Sequence, residues 1–482
     1  MKYLIYISIF IIVFSSFFFS IWYFLKLKRD IMFKILTRHL LKIQSYKGKE
    51  FFFSTYGIRN LIKCKILPII LSEDIKNTQK FLNKKNNFYA KAVFNAFINP
   101  SKAIADFEKL TKKNPQNDLF KAELAKLYFI NGQLDAAENI TEKINNKSCN
   151  YAKAVKYYIN SIIATSVGDM LSASQEASLA LKLFEKEKAF FEMAQVYLQM
   201  GTIYRVSATN DIAQCMFEAA KSIFEKMNLN IPQAIALANL GMLLVAQNRY
   251  EEAENYFFQA QELNSKTQNL CIKAEILNQQ ALMKTTQKNY KEAEKLVLDA
   301  QKIHRKIKNK NGEALSWDIL SYINFGKKKY AKTIETTQNA IDIYKNVNNI
   351  SAIQEMLFMQ ANAYFETDNH EIAEKILRQI INLADEHKSC FHTANAYNLL
   401  GLIFLQKNNL SKAKSFFQQA VQREERNNRW NGAAVDYANL ALIEKKCGNS
   451  EQAEAILETA IEYARNSGDE NLIKQIKKQL KN

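Results

Sequence analysis

The sequence predicts an all-α protein, a right-handed α-solenoid of about ten helix pairs that is preceded by one transmembrane helix. Three observations lead to this prediction. The 482 residues include only 12 Gly and 4 Pro, too few for the many turns that a β protein needs. Small residues recur with a period of 40 over most of the chain. The first 25 residues contain one long apolar run.

The N-terminal run, Tyr3 to Leu25, contains no charged residue. As a helix it would be about 34 Å long at about 1.5 Å per residue, enough to cross a hydrocarbon core of about 30 Å. It lacks the small-residue cleavage site of a signal peptide. Because Lys2 alone precedes the run and many basic residues follow it, the positive-inside rule places the following residues in the cytoplasm. We therefore predict a single-pass membrane protein with an anchor at residues 1–25 and a cytoplasmic repeat domain.

Residues 26–87 form a basic region between the predicted anchor and the repeats. Residues 1–100 hold 17 Lys and Arg against 4 Asp and Glu, whereas the remaining residues hold 49 against 44. The segment 31–43 is amphipathic, and one of its faces carries three basic residues at helical spacing, Lys34, Arg38 and Lys42. Such a helix either lies on anionic lipid headgroups or packs on the first repeat. The nearly balanced charge of the body argues against nucleic acid as a partner.

From about residue 88 onward, small residues recur in a fixed register. Nine of the ten members of one series are Ala, with spacings of 34, 36 and then 40 residues: Ala103, Ala137, Ala173, Ala213, Ala253, Ala293, Thr333, Ala373, Ala413 and Ala453. Twelve residues before nine of these stands another small residue: Ala125, Ser161, Gly201, Gly241, Ala281, Ser321, Ala361, Gly401 and Ala441. Small side chains let two helices cross closely. Since one pair cannot bury its own apolar face, the pairs must stack into a solenoid.

This pattern resembles the tetratricopeptide repeat (TPR) family. The match is fullest in one unit, through Leu240, Gly241, Tyr250, Ala253, Phe257 and Ala260. The resemblance covers residues 88–468, and the 40-residue period is similar to that of the kinesin light chain type. Three units depart from the pattern at a position that is usually Tyr: Lys284, Asn324 and Glu444. The resemblance implies a superhelix whose inner face binds protein or peptide partners, and residues 469–482 are expected to form a capping helix.

The sequence contains no recognisable catalytic or cofactor-binding motif, such as a phosphate-binding glycine loop or a paired-histidine zinc motif. The six Cys include no C-x-x-C pair and are spread like small core residues, which fits a reducing compartment. His387, Cys390 and His392 are close in sequence, but a fourth ligand for zinc is missing nearby, so an inter-helix turn is the preferred interpretation. We expect no enzyme activity, no cofactor and no metal site.

The inner face of the superhelix is the candidate binding site. At 100° per residue, one stripe of each first helix turns away from the core. Its two ends carry amides, Gln199, Asn239, Gln279 and Asn439, whereas its centre carries rings and further amides: Tyr322, Phe325, Phe358, Asn362, Phe365 and Asn398. In the kinesin light chain type that this chain resembles, an Asn near this place bonds the backbone of an extended peptide. We expect the rings to be exposed and to anchor a partner. Two alternatives remain open: the amides reflect only the high frequency of Asn and Gln in this chain, or N-terminal units fill the groove and bury the rings.

These patterns predict a membrane-anchored scaffold or adaptor that binds protein or peptide partners along the groove and does no chemistry itself. The alternative is a peptide-sensing regulator whose superhelix changes conformation when a ligand binds. The scaffold is preferred because no sequence signature of a DNA-binding or other effector module precedes the repeats.

Overall fold

The structure of the protein is a computed structural model. It describes residues 31, 54–63, 82, 87–145, 147–207, 209–346, 349–387, 392–426, 429–466 and 470–479. Within these residues there are 22 helices of at least nine residues and no strand. They are α1 (Thr55–Lys63), α2 (Phe88–Ile98), α3 (Pro100–Lys113), α4 (Asp118–Ile130), α5 (Leu134–Glu142), α6 (Asn150–Val167), α7 (Met170–Lys186), α8 (Phe190–Val206), α9 (Asn210–Lys226), α10 (Asn230–Ala246), α11 (Tyr250–Thr267), α12 (Leu270–Thr286), α13 (Tyr290–Ile307), α14 (Lys310–Gly326), α15 (Tyr330–Asn346), α16 (Ile350–Phe365), α17 (His370–His387), α18 (Thr393–Gln406), α19 (Leu410–Arg426), α20 (Trp430–Lys446), α21 (Ser450–Asn466) and α22 (Glu470–Gln479). The predicted all-α solenoid is confirmed.

Helices α2 to α21 form ten pairs, each with a first helix (α2, α4 and so on to α20) and a second helix packed against it. Neighbouring first helices also touch one another, as α4 and α6 or α12 and α14 do. In the described part of the chain, no two second helices make a comparable contact. The array therefore curves towards its first helices, which line the concave face. Helix α22 packs on α20 and α21 at the end of the array.

The small-residue series lie where the two helices of a pair cross, as the register predicts. Every Ala of the main series from residue 103 to residue 453 is buried. In three pairs a Gly of the first helix faces a Phe ring of the second: Gly201 and Phe217, Gly241 and Phe257, Gly401 and Phe417. A Cβ atom added at these glycines would lie 2.5, 2.8 and 2.6 Å from the ring, closer than van der Waals contact allows. The two helices therefore approach until the Phe ring packs directly against the backbone of the Gly residue.

The turns between helices repeat as regularly as the crossings do. One residue of most turns has a positive φ, and from Gly168 to Gly448 these residues, except His392, are separated by multiples of 20 positions. Many of them are Lys or Asn rather than Gly. In a representative turn, the Lys288 amide donates to the Thr285 carbonyl at 2.9 Å and the Asn289 amide donates to the Lys284 carbonyl at 2.8 Å. This pair of bonds is the Schellman ending of a helix, which requires a left-handed residue at this position.

Distant parts of the array meet as it winds. A Cβ atom added at Gly132, in the turn between α4 and α5, would lie 3.0 Å from the side-chain nitrogen of Asn311 at the start of α14. The Ser351 hydroxyl at the start of α16 donates to the backbone carbonyl of Ser166 at the end of α6, which lies 185 residues earlier. The superhelix therefore brings units five positions apart into contact.

The predicted localisation as a single-pass membrane protein is corrected by the structure. In the part of the chain that the structure describes, no helix is long and apolar enough to cross a membrane. The physical reason is that the longest helices, of 18 residues, carry charged residues among their apolar ones, whereas the uncharged helices α10 and α18 have only 17 and 14 residues. The segment 3–25, on which the prediction depended, lies outside the described residues, as do Lys34, Arg38 and Lys42.

Candidate binding groove

The amides predicted to line the two ends of the groove lie on first helices and are half-buried or buried. Gln199 donates to the Thr165 hydroxyl at 2.7 Å, so its side chain bonds the preceding unit. Asn239 is half-buried. The side-chain oxygen of Gln279 is buried, and no hydrogen-bond donor reaches it among the described residues. Asn439 is buried, with a relative exposure of 5%. The amides therefore differ in their hydrogen bonding: Gln279 has a side-chain oxygen without a donor, whereas Gln199 bonds the neighbouring unit.

Two of the four predicted rings contact the start of the second helix in their own pair. Phe325 packs edge-to-face on Tyr330, with ring centroids 5.5 Å apart. Forty residues later, Phe365 packs on His370 at 5.4 Å. The same contact in successive units shows that these rings contribute to the packing of a pair as well as to the surface of the groove.

The other two rings bridge successive units. Phe358 stacks on His392 of the next unit at 5.7 Å, and the Tyr322 hydroxyl donates to Glu355. Asn362 donates to the Phe358 carbonyl one turn earlier at 2.8 Å, so its amide oxygen is left for another donor. All of these side chains are half-buried, and the expectation that the four rings are exposed is wrong. Each ring packs on a neighbour because the side chains of adjacent first helices interdigitate along the concave face.

Buried carboxyl groups on the first helices of the C-terminal half were not recognised in the sequence. Asp318 on α14 accepts a hydrogen bond from the Tyr344 hydroxyl at 2.6 Å, and its other oxygen has no partner among the described residues. Burial raises the pKa of Asp318 to about 8, against the opposing effect of the Tyr344 hydrogen bond. Asp436 on α20 accepts from Asn398, and burial likewise raises its pKa to about 8. Both groups are therefore largely protonated at neutral pH.

The N-terminal half of the concave face is occupied by the chain itself. Helix α1 crosses it and contacts α2 and α8. At its start, the Ser54 hydroxyl donates to Glu123 of α4 at 2.5 Å. The Thr55 amide and hydroxyl donate to the two oxygens of Glu192 of α8, at 2.9 and 2.6 Å. Two carboxylates from first helices therefore hold the first turn of α1.

Lys126 and Tyr151 complete this arrangement, and we call Glu123, Lys126, Tyr151 and Glu192 the polar clasp. Lys126 donates to Glu192 at 3.0 Å and to the Tyr151 hydroxyl at 3.1 Å, while Tyr151 donates to Glu192 at 2.9 Å. Burial would raise the pKa of Glu192, but Lys126 and Thr55 outweigh it and hold that pKa below its usual value. For Glu123, burial outweighs Lys126 and Ser54 and raises the pKa. The clasp thus holds one firmly ionised carboxylate and one that is reluctant to ionise.

Apolar side chains secure the remaining length of α1. Ile58 and Leu61 are fully buried in one cluster with Val93 of α2 and Phe191 of α8. Gly57 passes so close to Val93 that an added Cβ atom would lie 2.8 Å from its methyl carbon. The possibility that N-terminal residues fill the groove is therefore realised here, by residues 54–63. The sequence has Ser-Thr followed by apolar residues at helical spacing in this segment. This pattern predicts a capped amphipathic helix, but it does not predict the surface on which the helix packs.

Of the group His387, Cys390 and His392, Cys390 lies outside the described residues. Among the described residues, no group of three or more His, Cys, Asp or Glu is arranged to hold a metal ion. His392 stacks on Phe358, and burial, with a smaller effect of Arg429, lowers its pKa to about 4. His392 is therefore neutral at physiological pH and acts as part of the aromatic surface.

Comparison with known structures supports this fold. A crystal structure of a Rap protein complexed with Competence and Sporulation Factor has 14% identity and a TM-score of 0.51, covering 78% of this chain and 97% of that one. A STAND protein with a tetratricopeptide repeat sensor from Pyrococcus horikoshii has 15% identity and a TM-score of 0.48, covering 92% and 65%. Yeast Tom70 has 12% identity and a TM-score of 0.40, covering 84% and 94%. At these identities, the likeness to the Rap protein shows a shared fold alone.

Sequence comparison identifies the repeats. No curated protein matches the chain. Models of the tetratricopeptide repeat match four segments, residues 99–155, 236–268, 353–425 and 437–467. Nothing in these matches supports the kinesin light chain type that the 40-residue period suggested. The helix pairs within these four segments therefore match tetratricopeptide repeats.

Proposed function

We propose that the protein is a scaffold or adaptor that binds protein or peptide partners along its concave face and catalyses no reaction itself. The observation that carries this proposal is a continuous strip on three successive first helices, α14, α16 and α18. It combines half-buried rings with amides: Tyr322, Phe325, Phe358, Asn362, Phe365 and Asn398. Aromatic side chains dominate the energetics of protein interfaces, and free amide oxygens select a ligand backbone.

The chemistry of the strip indicates the kind of ligand. Asn362 has its amide nitrogen bonded to its own helix, which leaves its oxygen as the acceptor for a ligand backbone N–H. Phe358 and His392, stacked at 5.7 Å, form a flat apolar surface beside it. An extended or helical segment with large apolar residues fits such a surface, each backbone hydrogen bond adding about 1 kcal/mol. A Rap protein of similar fold holds Competence and Sporulation Factor, which supports ligand binding by a superhelix of this kind.

The test is to capture partners from a cell lysate with the full chain and two groove variants. Asn362→Ala removes an acceptor without removing a contact between helices, and Phe358→Ala removes the stacking surface. Phe258→Ala is the matched control, because Phe258 lies on a second helix and is 64% exposed. We expect each groove variant to lose the same set of partners by at least about fivefold in affinity, and the control to retain them. Equal capture by all variants, with unchanged thermal melts, would reject the groove as the binding surface.

A second candidate function, a peptide-sensing regulator, is favoured by the contacts between distant units. The partly buried hydroxyl of Ser351 donates to the Ser166 carbonyl and so joins two units that are five positions apart. A ligand in the groove that changes the curvature would break or strengthen this contact and so shift the population of two forms. Small-angle scattering with and without a captured partner distinguishes the functions: a regulator changes its radius of gyration, whereas a rigid scaffold keeps it.

A further inference from the structure

We infer that the polar clasp and the apolar surface beside it form a binding site for the start of a partner helix, and that α1 occupies this site until a partner displaces it. This inference rests on the proposed function, because it names the kind of partner that the N-terminal half of the concave face takes. It also assigns α1 a regulatory role, since a partner competes with a segment of the same chain.

The clasp recognises the first turn of a helix. The first amide groups of any helix lack acceptors within the helix, and its N-terminus carries a partial positive charge. Glu192 meets both features, because its two oxygens accept from the amide and the hydroxyl of Thr55. Glu123 accepts from the hydroxyl of the preceding Ser54. The site therefore favours a helix that begins with two hydroxyl residues.

The hydrogen bonds of the clasp show that α1 does not satisfy it completely. Glu123 and Glu192 provide two carboxylates, whereas Lys126 provides one amine, and all three are buried. One oxygen of Glu123 has no hydrogen-bond partner among the described residues. A buried acceptor without a donor is costly. A partner helix that places a positive group beside Glu123, such as a free α-amino group before its first turn, would supply the missing donor and would favour the ionised form of Glu123.

The apolar contacts define the rest of the ligand. Gly57 is required where the helix passes Val93, since any side chain there would collide with it. Ile58 and Leu61 fill the cluster that includes Phe191. A partner should therefore carry Ser or Thr at its first two positions, Gly at the fourth, and aliphatic residues at the fifth and eighth.

The probe for this site is a fluorescent peptide of residues 54–63, with the label at its C-terminus and its N-terminus either free or acetylated. Its binding is measured to the full chain, to the variant S54A/T55A, which weakens the internal α1, and to the same variant with Glu192→Gln. Ser174→Ala with Ser178→Ala is the control, since these two hydroxyls bond only the carbonyls of their own helix.

We expect S54A/T55A to bind the peptide at least about tenfold more tightly than the wild-type chain, because two buried hydrogen bonds of the competitor to the clasp are lost. The added Glu192→Gln should reverse this gain, and the free amine should bind at least about fivefold more tightly than the acetylated form. Hydrogen exchange should show faster exchange of the α1 amides when the peptide is bound to the wild-type chain. The control variant should behave as wild type.

Two results would overturn the inference. One is that S54A/T55A binds the peptide no better than wild type while its thermal melt is unchanged. The other is that S54A/T55A unfolds the repeats, since α1 would then be an integral part of the core and not a displaceable occupant. The peptide test needs no partner and no residue of the C-terminal strip. If the peptide does not bind but partner capture still depends on Phe358, this inference alone is rejected. If the peptide binds as expected but partner capture does not depend on Phe358, the proposed function alone is rejected.

Discussion

The tight contact between Gly241 and Phe257 leads to a quantitative prediction about stability. A Cβ atom at residue 241 would lie 2.8, 3.0 and 3.1 Å from three atoms of the Phe257 ring. Real Cβ atoms essentially never come within 3.0 Å of such a neighbour, so Gly241→Ala forces α10 and α11 apart or rotates the ring. Overpacking of this kind costs about 1–3 kcal/mol. Phe257→Val, which leaves a cavity instead, should cost a similar or larger amount.

The next unit supplies the compensating combination. There the equivalent residues are Ala281 and Val297, both buried, so an added methyl group is accommodated by a smaller partner. The free energy of unfolding that the double variant G241A/F257V loses should therefore be smaller than the sum of the losses in the two single variants, by at least about 1 kcal/mol. The favourable sign of this coupling distinguishes a specific crossing from general damage to a helix.

Native-state hydrogen exchange of the full chain is the appropriate measurement, because a long repeat array does not unfold in one step. Local free energies of opening are compared for α10, α11 and their neighbours, and Asn255→Ala on the exposed face of α11 should change them by less than about 0.5 kcal/mol. Glu252 is a poorer control, since it pairs with Arg249 at 2.6 Å. Additive effects in the double variant, or a Gly241→Ala change as small as that of the control, would refute the packing argument.

Three further predictions concern turns, titration and rings. Lys288→Gly should be neutral or stabilise by up to about 1 kcal/mol in thermal melts, because its φ of 60° favours Gly, whereas Lys295→Gly inside α13 should destabilise by about 1 kcal/mol; equal effects would contradict this. Because the folded pKa of Asp318, about 8, exceeds the unfolded value near 3.8, wild-type stability should fall by about 1.4 kcal/mol per pH unit from this group as pH rises from about 5 to about 8. Asp318→Asn should remove that part of the slope, and an unchanged pH profile would show that the group ionises normally. Phe365→Ala should lower the melting temperature more than Phe258→Ala does, since only the former ring packs on its own pair; the reverse order would place the ring outside the fold.

Much of the fold could be predicted from the sequence because the determinants of a repeat are local. Small residues at a fixed spacing mark each crossing, and the volume of a side chain is a property of the residue itself. The amphipathic period likewise assigns each helix its buried face. For the same reason the sequence indicated which face of each first helix lines the groove. It did not show that Phe325 and Phe365 pack on Tyr330 and His370, because the position of a ring depends on the turn that brings the second helix back.

What the sequence determined by itself was the unit: an amphipathic helix pair with its crossings, its turns and its stacking into a solenoid. What only the tertiary structure decided was which distant residues meet. The bonds from Ser54 and Thr55 to the polar clasp span 69 to 137 residues of sequence, and that between Ser351 and Ser166 spans 185. Such contacts depend on the accumulated curvature of several units, in which small rotations at each interface add up. A local pattern encodes each rotation only approximately, so the filled N-terminal half of the groove becomes visible only when the whole superhelix is assembled.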